Sequence, residues 1–417
     1  MIDNQEIKER FVLVAAVTDD GRNLEESMHE LAELTKTAGA EAVGRVVQMR
    51  ESIHPGTYIG KGKIEEVRET INALDATGII CDDDLSPAQY NNLADMLDVK
   101  VMDRTMLILD IFAGRARTSE GKIQVELAQL RYRSARLTGI GRSMSRLGGG
   151  IGTRGPGEKK LEMDRRLIGK RISSLKEELA EVKRHRELVR ARRREGKEKT
   201  CAIVGYTNAG KSTLLNYLTG AGILAEDALF ATLDPTTREL LLPDSNKILL
   251  TDTVGFIRKL PHHLVDAFRS TLEEAAYADL ILHVVDASNP NMDSQMQVVY
   301  ETLAMLGAGD KPVYTLFNKI DREEANENHL TDRHAKKMFR ISAKYGEGIP
   351  ELLDALSDFI TEGQILIERD VPYAKAGVIA RIRAEGQLLA EEYQAGGIYV
   401  RAYVPRRLYG QLLAELG

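Results

Sequence analysis

Residues Gly205 to Ser212 read GYTNAGKS, the GxxxxGK[ST] spacing of a phosphate cradle. Such a loop aims successive backbone N–H groups, and the start of a helix, at phosphate oxygens. Gly205, Tyr206, Thr207, Asn208, Ala209 and Gly210 make the cradle, with Thr213 beyond it in the first helical turn. Lys211 is expected to reach the β- and γ-phosphates, and the Ser212 hydroxyl to help hold Mg²⁺. Downstream, Asp252-Thr253-Val254-Gly255 closes an apolar run as DxxG. Asp252 is placed there as a second Mg²⁺ holder, and the Gly255 N–H as a γ-phosphate contact. Between the two, Phe230-Ala231-Thr232-Leu233-Asp234 supplies the threonine that a first switch needs. Thr232 is the favoured metal and γ-phosphate ligand, with Thr236 and Thr237 as alternatives. Asn318-Lys319-Ile320-Asp321 selects the base: Asp321 accepts from the N1–H and exocyclic amine of guanine, which adenine does not offer. Asn318 braces that loop, the Lys319 stem lies along the base, and Ser342, Ala343 and Lys344 close the opposite side. The ordered set predicts GTP and GDP as ligands, with Lys211, Thr232 and Gly255 acting on the γ-phosphate.

The residue after DxxG is Phe256. A glutamine at this position orients the attacking water in Ras-like enzymes, which phenylalanine cannot do. Slow intrinsic hydrolysis and stimulation by a macromolecular partner are therefore expected. Asn208 has two readings: it coordinates a potassium ion that replaces an arginine finger, as in related GTPases, or it only shapes the loop. His283 reads as a satisfied core histidine. His262 and His263, past the second switch, are candidates to approach the nucleotide once a partner orders them.

These motifs need strands and helices to hold them. Thr200–Val204 and Val313–Phe317 are apolar runs of strand length leading into nucleotide motifs, Leu249 to Gly255 reads as a strand ending in DxxG, and Ala278–Asp286 reads as a further central strand. The first hundred residues alternate strand-like and helix-like runs, beginning with Phe11–Val17 and the helix face Leu24, Met28, Leu31 and Leu34. That alternation predicts a small α/β domain with a parallel sheet. Gly60-Lys61-Gly62-Lys63 reads as a basic loop, either a plain turn or a phosphate contact. Beyond residue 362, a strand–helix–hairpin–helix order predicts a compact ferredoxin-like α+β unit. The expected domains are 1–117 (α/β), 118–198 (helical hairpin), 199–362 (nucleotide-binding) and 363–417 (α+β).

Charge singles out the hairpin. Lys122 to Lys199 holds 23 Lys/Arg against 10 Asp/Glu, a net of +13, whereas the whole 417-residue chain carries −6 and the remainder therefore −19. Such asymmetry points to a polyanion; a solvated, salt-bridged helix pair is the plainer reading. Ile123, Leu127, Leu130 and Leu137 form one helical stripe. Ile168, Ile172, Leu175, Leu179, Val182 and Val189 form another, interrupted by Arg186. The glycine-rich loop 148–157 between them is either a disordered linker or a mobile tip able to enter a narrow RNA-lined space. Candidate RNA contacts are Arg142, Arg146, Thr153, Arg154, Lys159, Lys160, Arg192, Arg193 and Arg194. Cys81 and Cys201 are too few and too far apart for a disulfide framework or a metal motif and read as core residues in a reducing compartment. Met1 opens a polar segment, and no run approaches ~18 apolar residues. A cytoplasmic, monomeric protein is expected.

With GYTNAGKS, FATLD, DTVGFI, NKID and SAK, and above all GGGIGTRGPGE from Gly148 to Glu158, the chain resembles the bacterial HflX family of ribosome-associated GTPases over essentially its full length. The run at Phe230 also resembles translational GTPases, which favours Thr232. The resemblance implies a P-loop GTPase domain between an α/β domain carrying an antiparallel hairpin and a small α+β domain. It also implies Mg²⁺-dependent GTP hydrolysis, binding to the large ribosomal subunit in the GTP state, and insertion of the hairpin loop toward the peptidyl-transferase centre. Separation of stalled or idle ribosomes, notably under heat stress, is the role it implies. A large-subunit assembly GTPase and a signalling GTPase acting on a protein partner are the alternatives.

Overall fold

The computed structural model describes residues 8–18, 21, 23–144, 156–195, 199–220, 229–230, 233–244, 246–259, 273–326 and 328–416; side chains of 137–144, 156–161, 189–195, 326 and 416 are outside it. Strands β1 (Arg10–Val17), β2 (Glu41–Met49), β3 (Gly78–Cys81) and β4 (Lys100–Asp103) form an all-parallel sheet in the order β2-β1-β3-β4. Parallel pairing requires crossovers. Helices α1 (Leu24–Thr37), α2 (Lys61–Leu74) and α3 (Pro87–Leu97) supply them, and α4 (Arg104–Arg115) follows β4. Both sheet faces are covered, which is why β1 reads as an unbroken buried run rather than an alternating one. The expected basic loop at Gly60 is instead a helix start: Gly60 is the N-cap of α2, and Lys63 pairs with Glu66 at 2.8 Å.

Two long helices follow, α5 (Ser119–Met144) and α6 (Pro156–Glu195). They run antiparallel: Arg186 near the end of α6 pairs with Glu120 at the start of α5, and Arg171 with Glu126 at 2.7 Å. The described part of the α6 stripe faces inward, with Leu175 fully buried. The α5 stripe tells half the story. Val125, Ala128 and Tyr132 on a second face of α5 are buried among Leu107, Ile108 and Phe112 of α4. Residues 145–155, with Arg146, Thr153 and Arg154 among them, lie outside the described residues, as do the side chains of Arg142, Lys159, Lys160, Arg192, Arg193 and Arg194; Pro156 and Gly157, expected in the loop 148–157, begin α6 instead.

The second sheet takes the order β10-β9-β8-β5-β7-β6. Its strands are β5 (Lys199–Gly205), β6 (Thr236–Leu241), β7 (Lys247–Asp252), β8 (Leu280–Asp286), β9 (Val313–Asn318) and β10 (Lys337–Arg340), parallel except for β6 against β7. Helices α7 (Lys211–Thr219), α8 (Met292–Met305) and α9 (Ile349–Thr361) accompany it. Beyond it, β11 (Gln364–Val371), α10 (Gly377–Glu385), β12 (Gln387–Gln394), β13 (Gly397–Pro405) and α11 (Arg406–Leu416) make an antiparallel sheet in the order β11-β13-β12. That is the strand order of a ferredoxin-like unit lacking its fourth strand. Among the described residues, no helix is long and apolar enough to cross a membrane.

One apolar core crosses the boundaries expected from sequence. Phe11, Leu31, Phe112 and Ala128 belong to the same buried cluster as Val204, Phe230, Val254 and Phe256. The C-terminal sheet, by contrast, keeps its own cluster of Ile367, Val400, Leu408 and their neighbours.

Candidate guanine-nucleotide site

The parallel strands β5, β7, β8, β9 and β10 end along one edge of the second sheet, and the nucleotide motifs are the turns that leave β5, β7, β9 and β10. The phosphate loop connects β5 to α7 through a left-handed Gly210 (φ 99°), where a Cβ would stand 2.2 Å from Asn318 Nδ2. Glycine is required there both by conformation and by the approach of the base-binding loop. Asn318 Nδ2 donates to the Ala209 carbonyl at 2.8 Å, and its Oδ1 accepts from the Ala343 N–H at 2.9 Å. Asn318 thus joins the phosphate loop, NKID and SAK. Lys319 Nζ donates to the Asn208 carbonyl (2.8 Å) and to Asp286 (2.7 Å), so its stem lies beside the phosphate loop. The Ser342 hydroxyl donates to Asp321 Oδ1 at 2.7 Å and orients that carboxylate. Lys344 is exposed beside the Tyr345 ring.

At the phosphate end, Lys211 Nζ donates to the Tyr206 carbonyl at 2.8 Å. Burial pushes its ammonium down to about 8, with Asp252 opposing the shift and Lys319 adding to it. An anionic ligand would reverse that shift by supplying the missing charge. Ser212 Oγ donates to Asp252 Oδ2 at 2.8 Å, so a hydroxyl and a carboxylate oxygen converge on one point beside Lys211. Two hard oxygen donors of this kind suit Mg²⁺, which retains waters and takes its other ligands from phosphate. Ser212 and Asp252 therefore fit the ion and would hold it; when bound it would supply positive charge that offsets the phosphate charge. A Cβ on Gly255 would meet Thr207 at 2.8 Å and Lys211 Nζ at 3.0 Å, so the loop after Asp252 closes tightly on the cradle. Phe256 secures it: its N–H donates to the Gly205 carbonyl (3.1 Å), and its carbonyl accepts from the Thr207 N–H (2.8 Å). The Phe256 ring is buried in the shared core. Asn208 is exposed with φ 61°, and Thr213 sits in the first turn of α7.

Several expected nucleotide contacts turn their side chains elsewhere. Tyr206 sends its hydroxyl to Glu30 of α1. Phe230 packs edge-to-face on Phe112 of α4 at 4.7 Å. Leu233 and Val254 fill the core, and the Thr253 hydroxyl donates to the Ile203 carbonyl at 2.8 Å. Asp234 binds the start of α5. A bulky or committed side chain at these positions leaves only its backbone for a nucleotide. Thr237 lies in β6, sharing a hydrogen bond with Thr251, and Thr236 begins that strand. Ala231, Thr232, His262 and His263 lie outside the described residues. His283 is a core histidine, as expected, buried against Tyr300, but among the described residues its Nδ1 has no hydrogen-bond partner, so it is not satisfied there. Burial pushes its imidazole down to about 4.

Sequence reasoning missed a set of charges behind the phosphate loop. Arg104, 1% exposed, donates to Glu30 (2.5 Å), Asp82 (3.1 Å) and the Arg258 carbonyl (3.1 Å). Burial alone would lower its pKa; Glu30 and Asp82 outweigh that and raise it. Arg258 pairs with Glu26, and its N–H donates to the Tyr206 hydroxyl at 2.9 Å. Lys259, left-handed at φ 52°, reaches Asp82 (2.5 Å) and Asp83 (2.7 Å). Asp82 and Asp83 lie just beyond β3, at the carboxyl ends of β1 and β3 where the strand order reverses. Sheets of this kind normally bind ligands in that crevice; here the chain following DTVGFI fills it. The run Asp82-Asp83-Asp84 after a buried strand, and Arg258-Lys259 after the second switch, were the available signals.

Comparison with known proteins follows this geometry. Family models described as GTP-binding GTPase N-terminal, GTP-binding GTPase Middle Region and 50S ribosome-binding GTPase match residues 25–113, 115–193 and 200–319. The GTPase HflX of Lacrimispora saccharolytica is 64% identical over 412 residues, covering 99% of this chain and 97% of the relative. The GTPase HflX of Escherichia coli K12 is 43% identical over 360 residues, 86% of this chain and 84% of its own. A solved complex of SsGBP with GDP is 25% identical, covers 84% of this chain and 99% of that one, and has a TM-score of 0.46. With both relatives more than 40% identical over 86% or more of its length, the chain belongs to the HflX family of GTPases.

Proposed function

We propose that this GTPase binds the large ribosomal subunit in its GTP state and splits or recycles stalled or idle ribosomes, hydrolysis driving release. What carries the reading is the shared core: residues flanking both switches, Phe230 and Val254, pack in one cluster with α4 and with α5 of the basic hairpin. A change at the γ-phosphate therefore acts on a segment of net charge +13 in a chain whose overall charge is −6. The family model described as 50S ribosome-binding GTPase supports the choice of partner. In this scheme Lys211, Gly255 and Thr232 act on the γ-phosphate; Ser212, Thr232 and Asp252 hold Mg²⁺; and Asp321 with Asn318 and Ser342 selects guanine. Lys159, Lys160, Arg192, Arg193 and Arg194 contact ribosomal RNA along the hairpin, Arg142, Arg146, Thr153 and Arg154 near its tip. Phe256, held in the core, leaves the orientation of water to another group. The exposed Asn208 is the candidate to coordinate potassium, an idea that equal turnover in potassium and sodium would end.

The deciding experiment is GTP turnover with and without large subunits, paired with sedimentation of intact ribosomes. Stimulation by one to several orders of magnitude is expected, and a non-hydrolysable analogue should separate the subunits once and trap the factor. Absence of stimulation would overturn the reading. Stimulation with intact ribosomes left unsplit would move the protein to subunit assembly.

A further inference from the structure

Asp234 ends the FATLD run of the first switch, but its carboxylate is engaged 116 residues earlier in the chain. Its Oδ2 accepts from the Arg117 and Thr118 N–H groups at 2.9 Å each, and its Oδ1 accepts from the Thr118 hydroxyl. Thr118 immediately precedes α5, and its Oγ accepts in turn from the Gly121 N–H at 2.9 Å. The carboxylate therefore completes the cap of α5 from outside, placing a negative charge on donors that a helix start leaves unsatisfied. Gly121 is shaped to admit it: a Cβ there would stand 2.4 Å from Asp234 Oδ1 and 3.1 Å from Thr118 Oγ. The neighbouring residues hold the same junction, with Leu233 buried in the shared core and Phe230, left-handed at φ 55°, seated on Phe112.

We propose that Asp234 is a positioning residue that transmits the state of the first switch to the hairpin by holding or releasing the N-terminus of α5. Two peptide units separate it from Thr232, so a displacement of the threonine toward or away from a γ-phosphate shifts the Asp234 backbone by a comparable amount. Carboxylate hydrogen bonds do not survive such a shift, because they weaken steeply outside their preferred geometry. The 26 residues of α5 span roughly 40 Å. A small tilt at Thr118 thus becomes a large displacement at the far end of that helix. The coupling runs both ways: whatever the nucleotide does to this contact, breaking the contact must do to the preference between nucleotides.

The inference rests on the reading of residues 230–234 as the first switch and needs no ribosome. The full chain with Mg²⁺ is loaded with GDP or with a non-hydrolysable GTP analogue, and hydrogen exchange is followed at the Arg117 and Thr118 amides. The two nucleotides are expected to change exchange there by about tenfold or more, an opening on the scale of a local cap rather than of the domain. Affinities for both are then measured in Gly121→Ala and Thr118→Val. Alanine is the better helix former, so Gly121→Ala displaces Asp234 with no loss of helix propensity in α5. The ratio of analogue to GDP affinity should change about fivefold or more in both variants. A purely structural cap would alter stability, or both affinities equally, and leave the ratio unchanged; that result, or identical exchange with the two nucleotides, overturns the proposal. Loss of guanine-nucleotide binding by the unaltered chain would instead sink the reading of the site.

Discussion

The nucleotide-binding sheet has neighbours on both sides in the chain, and they are attached in opposite ways. On the N-terminal side the core is continuous, and a buried ionic network of Arg104, Glu30, Asp82, Arg258 and Lys259 reaches the back of the phosphate loop through Tyr206. On the C-terminal side, the three-stranded sheet keeps a separate core, and among the described residues Gln387 at the start of β12 hydrogen-bonds Asn246 just before β7. Paired charges out of water hold only one arrangement well, because every partner must be in place. Neutral hydrogen bonds between separate cores leave relative motion inexpensive. The first attachment ties the N-terminal sheet and the start of the hairpin to the nucleotide-binding sheet through one core; the second leaves the tail with a core of its own.

Three measurements sharpen or break that contrast. The largest effect is expected from Arg104→Leu, which leaves Glu30 and Asp82 buried without their shared cation. Loss of about 3–5 kcal/mol is expected in thermal unfolding, and a change under about 1 kcal/mol would mean that the network does not hold the junction. Next is acid sensitivity. Burial pushes the Asp82 carboxyl up, but Arg104 and then Lys259 outweigh it, so it lies below its ordinary value of 3.8. A depressed carboxyl contributes stability that is complete above the unfolded value and lost as pH falls through the folded one. Stability should therefore fall below pH 3.8, and Asp82→Asn should lack that part of the fall; parallel curves for the two proteins would contradict the assignment. The smallest effect belongs to the other attachment. Gln387→Ala should cost about 1 kcal/mol or less and leave intrinsic GTP turnover unchanged. A turnover change of tenfold would show the tail to be coupled after all.

Much of the nucleotide site was legible because its chemistry is local. GYTNAGKS, DTVG, NKID and SAK each sit where an apolar strand ends, so motif and context are read together in a few residues. The α6 stripe was legible for the same reason: Ile168, Ile172, Leu175, Leu179 and Val182 face inward at helical spacing. Even the interruption at Arg186 has a local form, although its partners Glu120 and Glu274 come from elsewhere. The second buried face of α5 was not legible, because Gln124, Val125, Ala128 and Tyr132 do not make an apolar stripe by composition. Gln124 is buried, and Tyr132 is tolerated because its hydroxyl donates to Asp103 at 2.6 Å.

Residue types and spacing alone were enough to read a GTPase, a parallel sheet ahead of it and a helical hairpin between. Those are properties of short windows, in which backbone geometry and side-chain chemistry repeat wherever the pattern occurs. Which side chains serve the nucleotide and which serve the neighbouring sheet was decided only by tertiary structure. Asp234 in FATLD and Tyr206 in GYTNAGKS carry the right motifs but spend their polar atoms on α5 and on Glu30. Their partners lie 116 and 176 residues away. No local pattern records a pairing at that separation, because its energy exists only once packing has brought the two ends together.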